Sequence, residues 1–195
     1  MKSDKQKHQL EIRRFKSAAD YRKWLARNHA RSEGIWMQIC KKGSGEVSVT
    51  YAEALDHSLC HGWIDSQKRS HDEKSFLQRF GPRRPKSGWS KINTLHAERL
   101  IKSGGMTPAG LAVINAAKMD GRWKAAYDPP STATLPEAFL KVLSKNRKAK
   151  AFFETLNKAN RYAIAWRLQT ARKPETVQNR TRTIIAMLAC GEKFH

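Results

Sequence analysis

Apolar positions in the first part of the chain follow a helical period and then a strand period. Tyr21, Trp24 and Leu25 recur at i, i+3 and i+4, and Ser17 precedes this stripe where its hydroxyl can cap a helix. In residues 35–40, Ile, Met and Ile alternate with Trp, Gln and Cys, which is the two-residue period of a strand. The pattern therefore predicts a helix followed by a strand.

A second helix and a hairpin are predicted in the next segment. Thr50 and Glu53 have the T-x-x-E spacing of a capping box, and Gly62 suits the end of that helix because glycine readily adopts a positive φ. Residues 63–69 and 75–80 alternate as strands do, and a short polar segment joins them. We expect these two strands to pair antiparallel.

Beyond residue 87 the apolar spacing is helical. One helix is predicted to begin near Ser87, and another at Thr107-Pro108, where a capping residue is followed by proline. Residues 121–134 are rich in Pro, Ser and Thr and predict a linker. Apolar stripes within residues 149–156 and 177–188 predict two further helices.

Together these elements predict an α+β fold. Its small, mainly antiparallel sheet is covered by helices, and its C-terminal part is all helical. The predicted organisation is a flexible basic tail over residues 1–10, an α+β domain over 11–120, a linker over 121–134 and a helical subdomain over 135–195 that packs on the first. At 195 residues the chain is long enough to bury a core without disulfides or metals.

The charge of the chain restricts its partners without selecting one. The sequence has 38 Lys and Arg against 17 Asp and Glu, a formal net charge of +21. The excess is spread along the whole chain, so no single basic tail accounts for it. A field this positive attracts nucleic acid, anionic lipid or acidic protein. It is equally compatible with a role in solubility alone.

The sequence also indicates a compartment. No apolar segment reaches the roughly 18 residues that a membrane helix needs, so no membrane insertion is predicted. The N-terminus is basic and polar with no apolar stretch after it, which argues against a secretory signal. The chain has three cysteines, Cys40, Cys60 and Cys190. An odd number without CxxC spacing is typical of reduced thiols. We expect a cytoplasmic protein.

The segment from Gly62 to Asn93 mixes cationic, aromatic and small polar residues at strand ends and at a predicted helix start. Backbone N–H groups at a helix N-terminus, beside guanidinium groups, suit a phosphate or carboxylate, and Trp rings can stack on a base. The predicted ligand-binding residues are Trp63, Asp65, Arg79, Arg83, Arg84, Ser87, Trp89, Ser90 and Asn93. The structural alternative is that both Trp rings belong to the core and the Arg side chains pair with nearby carboxylates.

Enzymatic and metal-binding interpretations have less support. His57 and His61 stand at i, i+4, a spacing that can bring two imidazoles to one metal, but no second ligand cluster accompanies them. No P-loop, GxGxxG, HExxH or nucleophile elbow is present. We therefore predict no metal and no cofactor. The alternative hypothesis is an enzyme of unknown reaction with a pocket around four residues: Asp65, Ser87, Ser90 and Asn93.

A second set of cations lies on the C-terminal helices. Such a set predicts a solvated basic face or a surface for a protein partner. Its main members are Arg161, Arg167, Lys173 and Arg180. Arg180 falls off the apolar stripe of its helix, so we expect it to face solvent or a partner.

Seven motifs of the chain are long or distinctive in composition. Four lie in the middle: Tyr51-Ala-Glu-Ala-Leu55, Leu59-Cys60-x-Gly62-Trp63-Ile64-Asp65, Arg79-Phe-x-Pro-Arg-Arg84 and Ser87-x-Trp89-Ser90-x-x-Asn93. Three lie toward the C-terminus: Ala151-Phe-Phe153, Asn160-Arg161-Tyr162 and Lys173-Pro-Glu-Thr176. Together they resemble the YdeI/OmpD-associated, or bacteriocin-protection, family over a span from about Phe15 to Gly191.

The resemblance implies a link to tolerance of bacteriocins or cationic antimicrobial peptides and brings no catalytic residues with it. The sequence departs from the family pattern at Gly81, where a small hydroxyl residue is expected, and at Val177 and Asn179, where Arg is expected. A cationic protein repels cationic peptides, so direct peptide capture is not expected. We expect a non-enzymatic stress or tolerance protein that binds an anionic ligand, either nucleic acid or a phosphate-bearing small molecule.

Overall fold

The computed structural model describes residues 10–195 of the chain. Within this range the chain forms four strands and eight helices, which confirms the α+β prediction. These elements belong to two compact units. The first comprises residues 10–87 and 95–120, and the second comprises residues 88–94 and 121–195.

The structure does not test the predicted tail, the predicted linker or the predicted domain bounds. The basic tail predicted over residues 1–10 lies, apart from Leu10, outside the described residues. The bounds predicted for the α+β domain, the linker and the helical subdomain stay predictions.

The first unit contains a four-stranded sheet and its helices. Its elements in chain order are β1 (Ile12–Arg13), α1 (Ala18–Asn28), β2 (Ile35–Cys40), α2 (Tyr51–Cys60), β3 (Trp63–Ser70), β4 (Ser75–Pro82), α3 (Lys91–Lys102) and α4 (Pro108–Met119). The first residues of α3, up to Thr94, belong to the second unit.

The sheet has the strand order β1-β2-β4-β3. β4 pairs antiparallel with both β2 and β3, as the hairpin pattern predicts. β1 pairs parallel with β2, placing Ile12 beside Trp36, so the sheet is mixed. Sequence analysis missed β1 because two residues are too short to show a period.

The helix ends in the first unit follow from local chemistry. The Ser17 hydroxyl accepts the N–H of Asp20 at the start of α1. Thr50 and Glu53 form the predicted capping box at the start of α2, with the Thr50 N–H donating to the Glu53 carboxylate at 2.9 Å. Gly62 follows α2 with φ +74°, and a Cβ there would lie 2.9 Å from Val113 Cγ2. Both the turn and the packing therefore require glycine.

The first helices cover the face of the sheet that carries Phe80. The Tyr21 ring of α1 and the Tyr51 ring of α2 lie 6.2 Å and 6.4 Å from the Phe80 ring. Tyr21 and Ser58 share a buried hydrogen bond of 2.8 Å, so the packing of α1 against α2 also satisfies their polar groups.

One predicted helix start is wrong. α3 begins at Lys91 and not near Ser87, because the Ser90 hydroxyl accepts the N–H of Asn93 and so acts as the cap. The Ser87 hydroxyl donates instead to the carbonyl of Arg84 at 2.9 Å, which holds a turn.

The second unit is helical, as predicted for the C-terminal part. Its helices are α5 (Glu137–Ser144), α6 (Arg147–Thr155), α7 (Lys158–Gln169) and α8 (Pro174–Ala189). Their apolar stripes meet in one core of buried side chains: Phe139, Leu143, Ala149, Leu156, Ile164, Leu168, Ile184, Ile185 and Leu188. Before α5, Tyr127 forms a parallel bridge with Ser90.

Candidate functional site

The nine residues predicted to bind a ligand are divided between the two units. The first unit holds Trp63, Asp65, Arg79, Arg83, Arg84 and Ser87. The second unit holds Trp89, Ser90 and Asn93.

Both Trp rings of the predicted site are buried. Trp63 is 1% exposed, and its Nε1–H donates to the carbonyl of His29 at 3.0 Å while its ring meets Trp24 edge-on. Trp89 is 2% exposed, and its ring centroid lies 4.8 Å from that of Trp123. Neither ring offers an exposed face on which a base can stack, so the core interpretation of the two Trp residues fits the structure.

Asp65 is held by a neighbouring phenol. It lies on β3 where the pairing with β4 is irregular, and its carboxylate accepts the hydroxyl hydrogen of Tyr51 at 2.9 Å. Burial and the adjacent Asp65 carboxylate raise the pKa of Tyr51, so the phenol stays a hydrogen-bond donor at neutral pH. This bond ties the start of α2 to β3.

The three predicted arginines have different surroundings. Arg83 is 8% exposed, its N–H donates to the carbonyl of Gly62, and its guanidinium donates to the Ser87 hydroxyl at 3.4 Å. Arg84 is exposed and Arg79 is partly exposed. Neither guanidinium group forms an ion pair or a hydrogen bond with another residue in the described range 10–195. Arg79 and Arg84 are therefore the accessible cations of the predicted set.

The four residues proposed for an enzyme take part in hydrogen bonds within their own units. Asp65 is bonded to Tyr51, and the Ser87 hydroxyl donates to a backbone carbonyl. Ser90 accepts the backbone N–H of Asn93 as a helix cap. These contacts are structural in kind, and they give the enzyme hypothesis no support.

A cationic cleft, which sequence analysis did not single out, lies at the end of the β3–β4 hairpin. This hairpin cleft has a volume of about 650 Å³. Its lining residues are Lys41, Lys42, Lys68, Arg69, Ser70 and Phe76. The pairing of β2 with β4 brings Lys41 and Lys42, which follow β2, to the end of the hairpin. The sequence carried one signal of this cleft: a Lys-Lys pair just after β2 and a Lys-Arg pair near the end of β3.

Aromatic rings fix the positions of two cations at the hairpin cleft. The Lys68 ammonium lies 4.2 Å above the centre of the Phe76 ring, and the Arg69 guanidinium lies 4.3 Å above the Trp36 ring. Within the described residues, neither Lys68 nor Arg69 forms an ion pair with a carboxylate. Their positive charge is therefore not neutralised by the chain around them.

The histidines of α2 lie close together but do not form a metal site. His61 Nδ1 hydrogen-bonds to the carbonyl of His57, and the ring of His29 lies 5.3 Å from that of His61. Burial lowers the pKa of both His57 and His61. Among residues 10–195, no group of three or more His, Cys, Asp and Glu is arranged to hold a metal ion.

The basic residues of the second unit make local contacts. Arg161 lies over the Phe153 ring and donates to the carbonyl of Glu154. Arg167 lies 3.6 Å over the Phe194 ring, and Arg180 donates to the carbonyl of Arg167. Arg180 is thus partly buried against α7, whereas the sequence predicted contact with solvent or a partner. Lys173 precedes α8 and is exposed.

The fold and these contacts define a two-unit α+β protein with a cationic hairpin and a helical C-terminal unit. Residues 13–113 match a family described as a domain of unknown function (DUF8412). That match covers more than half of the chain, so the chain belongs to this family.

A second family match lies within the second unit. Residues 132–191 match the family described as bacteriocin-protection, YdeI or OmpD-associated, which confirms the family predicted from the sequence. The motifs between Tyr51 and Asn93 lie in the segment that matches the other family. No curated protein and no solved structure matches the chain.

One further finding concerns membranes. In the part of the chain that the structure describes, none of the helices combines the length and the apolar character needed to cross a bilayer.

Proposed function

We propose that this protein is a non-enzymatic binding protein for an anionic ligand. Nucleic acid is the preferred ligand, and a phosphate-bearing small molecule is the alternative. The observation that carries the proposal is a set of four cations on β3, β4 and the loop that follows. These hairpin cations are Lys68, Arg69, Arg79 and Arg84, and none forms an ion pair with another described residue.

Unneutralised cations on a strand hairpin favour a polyanion for a physical reason. Each Lys or Arg that meets a phosphate releases a condensed counterion, and this release dominates binding to DNA and RNA at moderate salt. The net charge of +21 adds a long-range attraction that brings a polyanion toward the protein.

The family of the C-terminal unit suggests the setting. We propose that anion binding serves stress or bacteriocin tolerance in the cytoplasm; of these, the family description supports only the link to bacteriocin protection. Direct capture of cationic peptides is not part of the proposal, since a protein of charge +21 repels them. A protein partner that recognises the basic surface fits the same setting.

The test measures how binding to a fluorescent DNA duplex depends on salt. We expect the wild-type affinity to fall steeply between about 50 mM and about 200 mM salt. The double variant Arg79→Ala, Arg84→Ala should bind more weakly, and the slope of log K against log salt should shrink by about 0.9 for each phosphate that the variant no longer neutralises.

The matched control removes two charges elsewhere. Lys141 and Lys150 are exposed and paired with Glu137 and Glu154, so Lys141→Ala, Lys150→Ala changes the net charge equally without touching the hairpin. The proposal requires the salt slope of the hairpin variant to shrink more than that of the control. Equal changes of the salt slope in both variants would show that binding depends only on the total charge of the protein, and would refute the hairpin site.

A further inference from the structure

The second unit has an open cleft along α7 that the proposed hairpin site does not include. Its volume is about 740 Å³, within the usual range for ligand sites. Its lining includes Ser131, Lys158, Tyr162, Trp166, Arg167 and His195. We call it the α7 cleft. No Asp or Glu side chain is among the described residues that line it.

A line of side chains runs through this cleft. Lys158, Tyr162 and Trp166 stand at i, i+4 and i+8 on α7 and therefore lie along one side of the helix. With a rise of about 1.5 Å per residue, the line is about 12 Å long. It has a cation at the beginning and two aromatic rings after it, so the cleft is extended and not a compact cavity for one small group.

Trp166 is the most distinctive member of the line. It is 39% exposed, whereas Trp63 and Trp89 are almost fully buried. The Tyr127 ring meets the Trp166 ring edge-on at 6.2 Å and 86°, which holds the exposed ring in place. A large aromatic ring that is both exposed and oriented is a typical stacking platform.

Two cations of α7 line the same cleft as this platform. The guanidinium of Arg167 is 5.9 Å from the centre of the Trp166 ring, and Lys158 begins the same helix. The Tyr162 hydroxyl donates to the carbonyl of Asp128, which fixes the second ring of the line. The cleft therefore presents fixed aromatic rings with positive charge beside them.

We propose that the α7 cleft binds single-stranded nucleic acid by stacking unpaired bases on Trp166 and Tyr162, with Lys158 and Arg167 facing the phosphates. This inference rests on the proposed function, and it specifies that the nucleic acid is single-stranded. Every base has a π-face, so stacking tolerates any sequence, but the bases of a duplex are already stacked on each other and cannot reach the ring.

The test compares an oligothymidylate of about 15 nucleotides with a duplex of the same length. Trp166→Ala should weaken binding of the single strand on the order of 5- to 150-fold, the range expected when one stacked base loses its aromatic platform. Binding of the duplex should not change. Trp166→Phe keeps a ring and should retain most of the single-strand affinity.

Two controls separate a local effect from a folding defect. Leu140→Ala removes another large, 42% exposed side chain of the second unit that does not line the α7 cleft, and it should leave both affinities unchanged. The thermal unfolding midpoint of each variant is compared with that of the wild type. If Trp166→Ala is unstable, Trp166→Phe still tests the site.

The outcomes distinguish this inference from the proposed function. If the wild-type protein binds neither strand form, both fail. If it binds both forms and Trp166→Ala weakens them equally or not at all, the α7 cleft is not a base-stacking site, while anion binding at the hairpin stands. If Trp166→Ala weakens binding of polyglutamate but not binding of the oligothymidylate, the cleft binds an acidic peptide and the inference is wrong.

Discussion

Gly110 lies on α4 where the helix passes the end of α2. A Cβ at this position would lie 2.5 Å from Met106 Sδ and would clash with the carbonyl oxygen of Cys60. The same carbonyl accepts hydrogen bonds from the hydroxyl and the N–H of Thr107, so it has little freedom to move. The close approach of α4 to α2 therefore depends on the absence of a side chain at this position.

We predict that Gly110→Ala lowers the free energy of unfolding by about 1–3 kcal/mol, the usual result of overpacking, even though alanine favours a helix. Urea denaturation checks the value. Gly105→Ala is the control, since its nearest neighbours would lie 3.7 Å from the new Cβ, an ordinary distance. A Gly110→Ala protein as stable as the wild type would show that α4 can move away from α2.

Several single residues were predictable from the sequence because their roles are local. Ser17, Thr50 and Gly62 act within four residues of themselves, so spacing alone identifies them. The burial of Trp63 and Trp89 could be given only as one of two alternatives, because it depends on residues distant in the chain, such as His29 and Trp123.

At the scale of elements, one buried side chain of α7 makes the hydrogen bonds that hold the C-terminal segment. Asn160 is 1% exposed, and its Oδ1 accepts the N–H groups of Phe194 and His195 at 3.1 Å and 3.0 Å. Its Nδ2 donates to the carbonyl of His195. This amide therefore holds two residues that follow the last helix.

We predict that Asn160→Ala releases this segment. Amide hydrogen exchange at Phe194 and His195 should accelerate strongly, and the free energy of unfolding should fall by about 1–3 kcal/mol, since four side-chain hydrogen bonds are removed at a buried position, three of them to residues 194–195. Asn146→Ala is the control: it removes the cap of α6, where Asn146 accepts the N–H of Ala149, and should leave exchange at residues 194–195 unchanged. Equal exchange in both variants would contradict the role of Asn160.

The elements themselves show what a sequence can predict. The β3–β4 hairpin and β2 were identified correctly, because six to eight residues suffice to show a two-residue period. α3 was placed too early because Ser87 and Ser90 are equally good caps by type, and only the turn at Arg84 decides between them. The hairpin cleft depends on strand pairing, which residue spacing alone does not give.

At the scale of the whole molecule, charge is the dominant property. A net charge of +21 on 195 residues leads us to predict that the protein, purified without nuclease, carries nucleic acid. The ratio of absorbance at 260 nm to that at 280 nm should exceed that of the denatured, stripped protein. Washing at about 1 M salt should remove the excess, because screening is then nearly complete.

Two results would speak against this prediction. An absorbance ratio that equals that of the stripped protein before any high-salt wash would show that the charge does not recruit nucleic acid in the cell. An excess that survives about 1 M salt would indicate a tightly bound chromophore and not an electrostatic complex.

The order in which the chain contributes to its two units restricts where it can be divided without removing residues from a unit. Residues 88–94 belong to the second unit, and the chain then returns to the first for residues 95–120. A fragment beginning at residue 121 lacks Trp89, on which Trp123 packs, and Ser90, which bridges to Tyr127. The two family matches lie in separate segments, 13–113 and 132–191, but a break at residue 121, between them, would not separate the units evenly. The first unit would keep all of its residues, whereas the C-terminal fragment would lose residues 88–94 and the contacts that they make in the second unit.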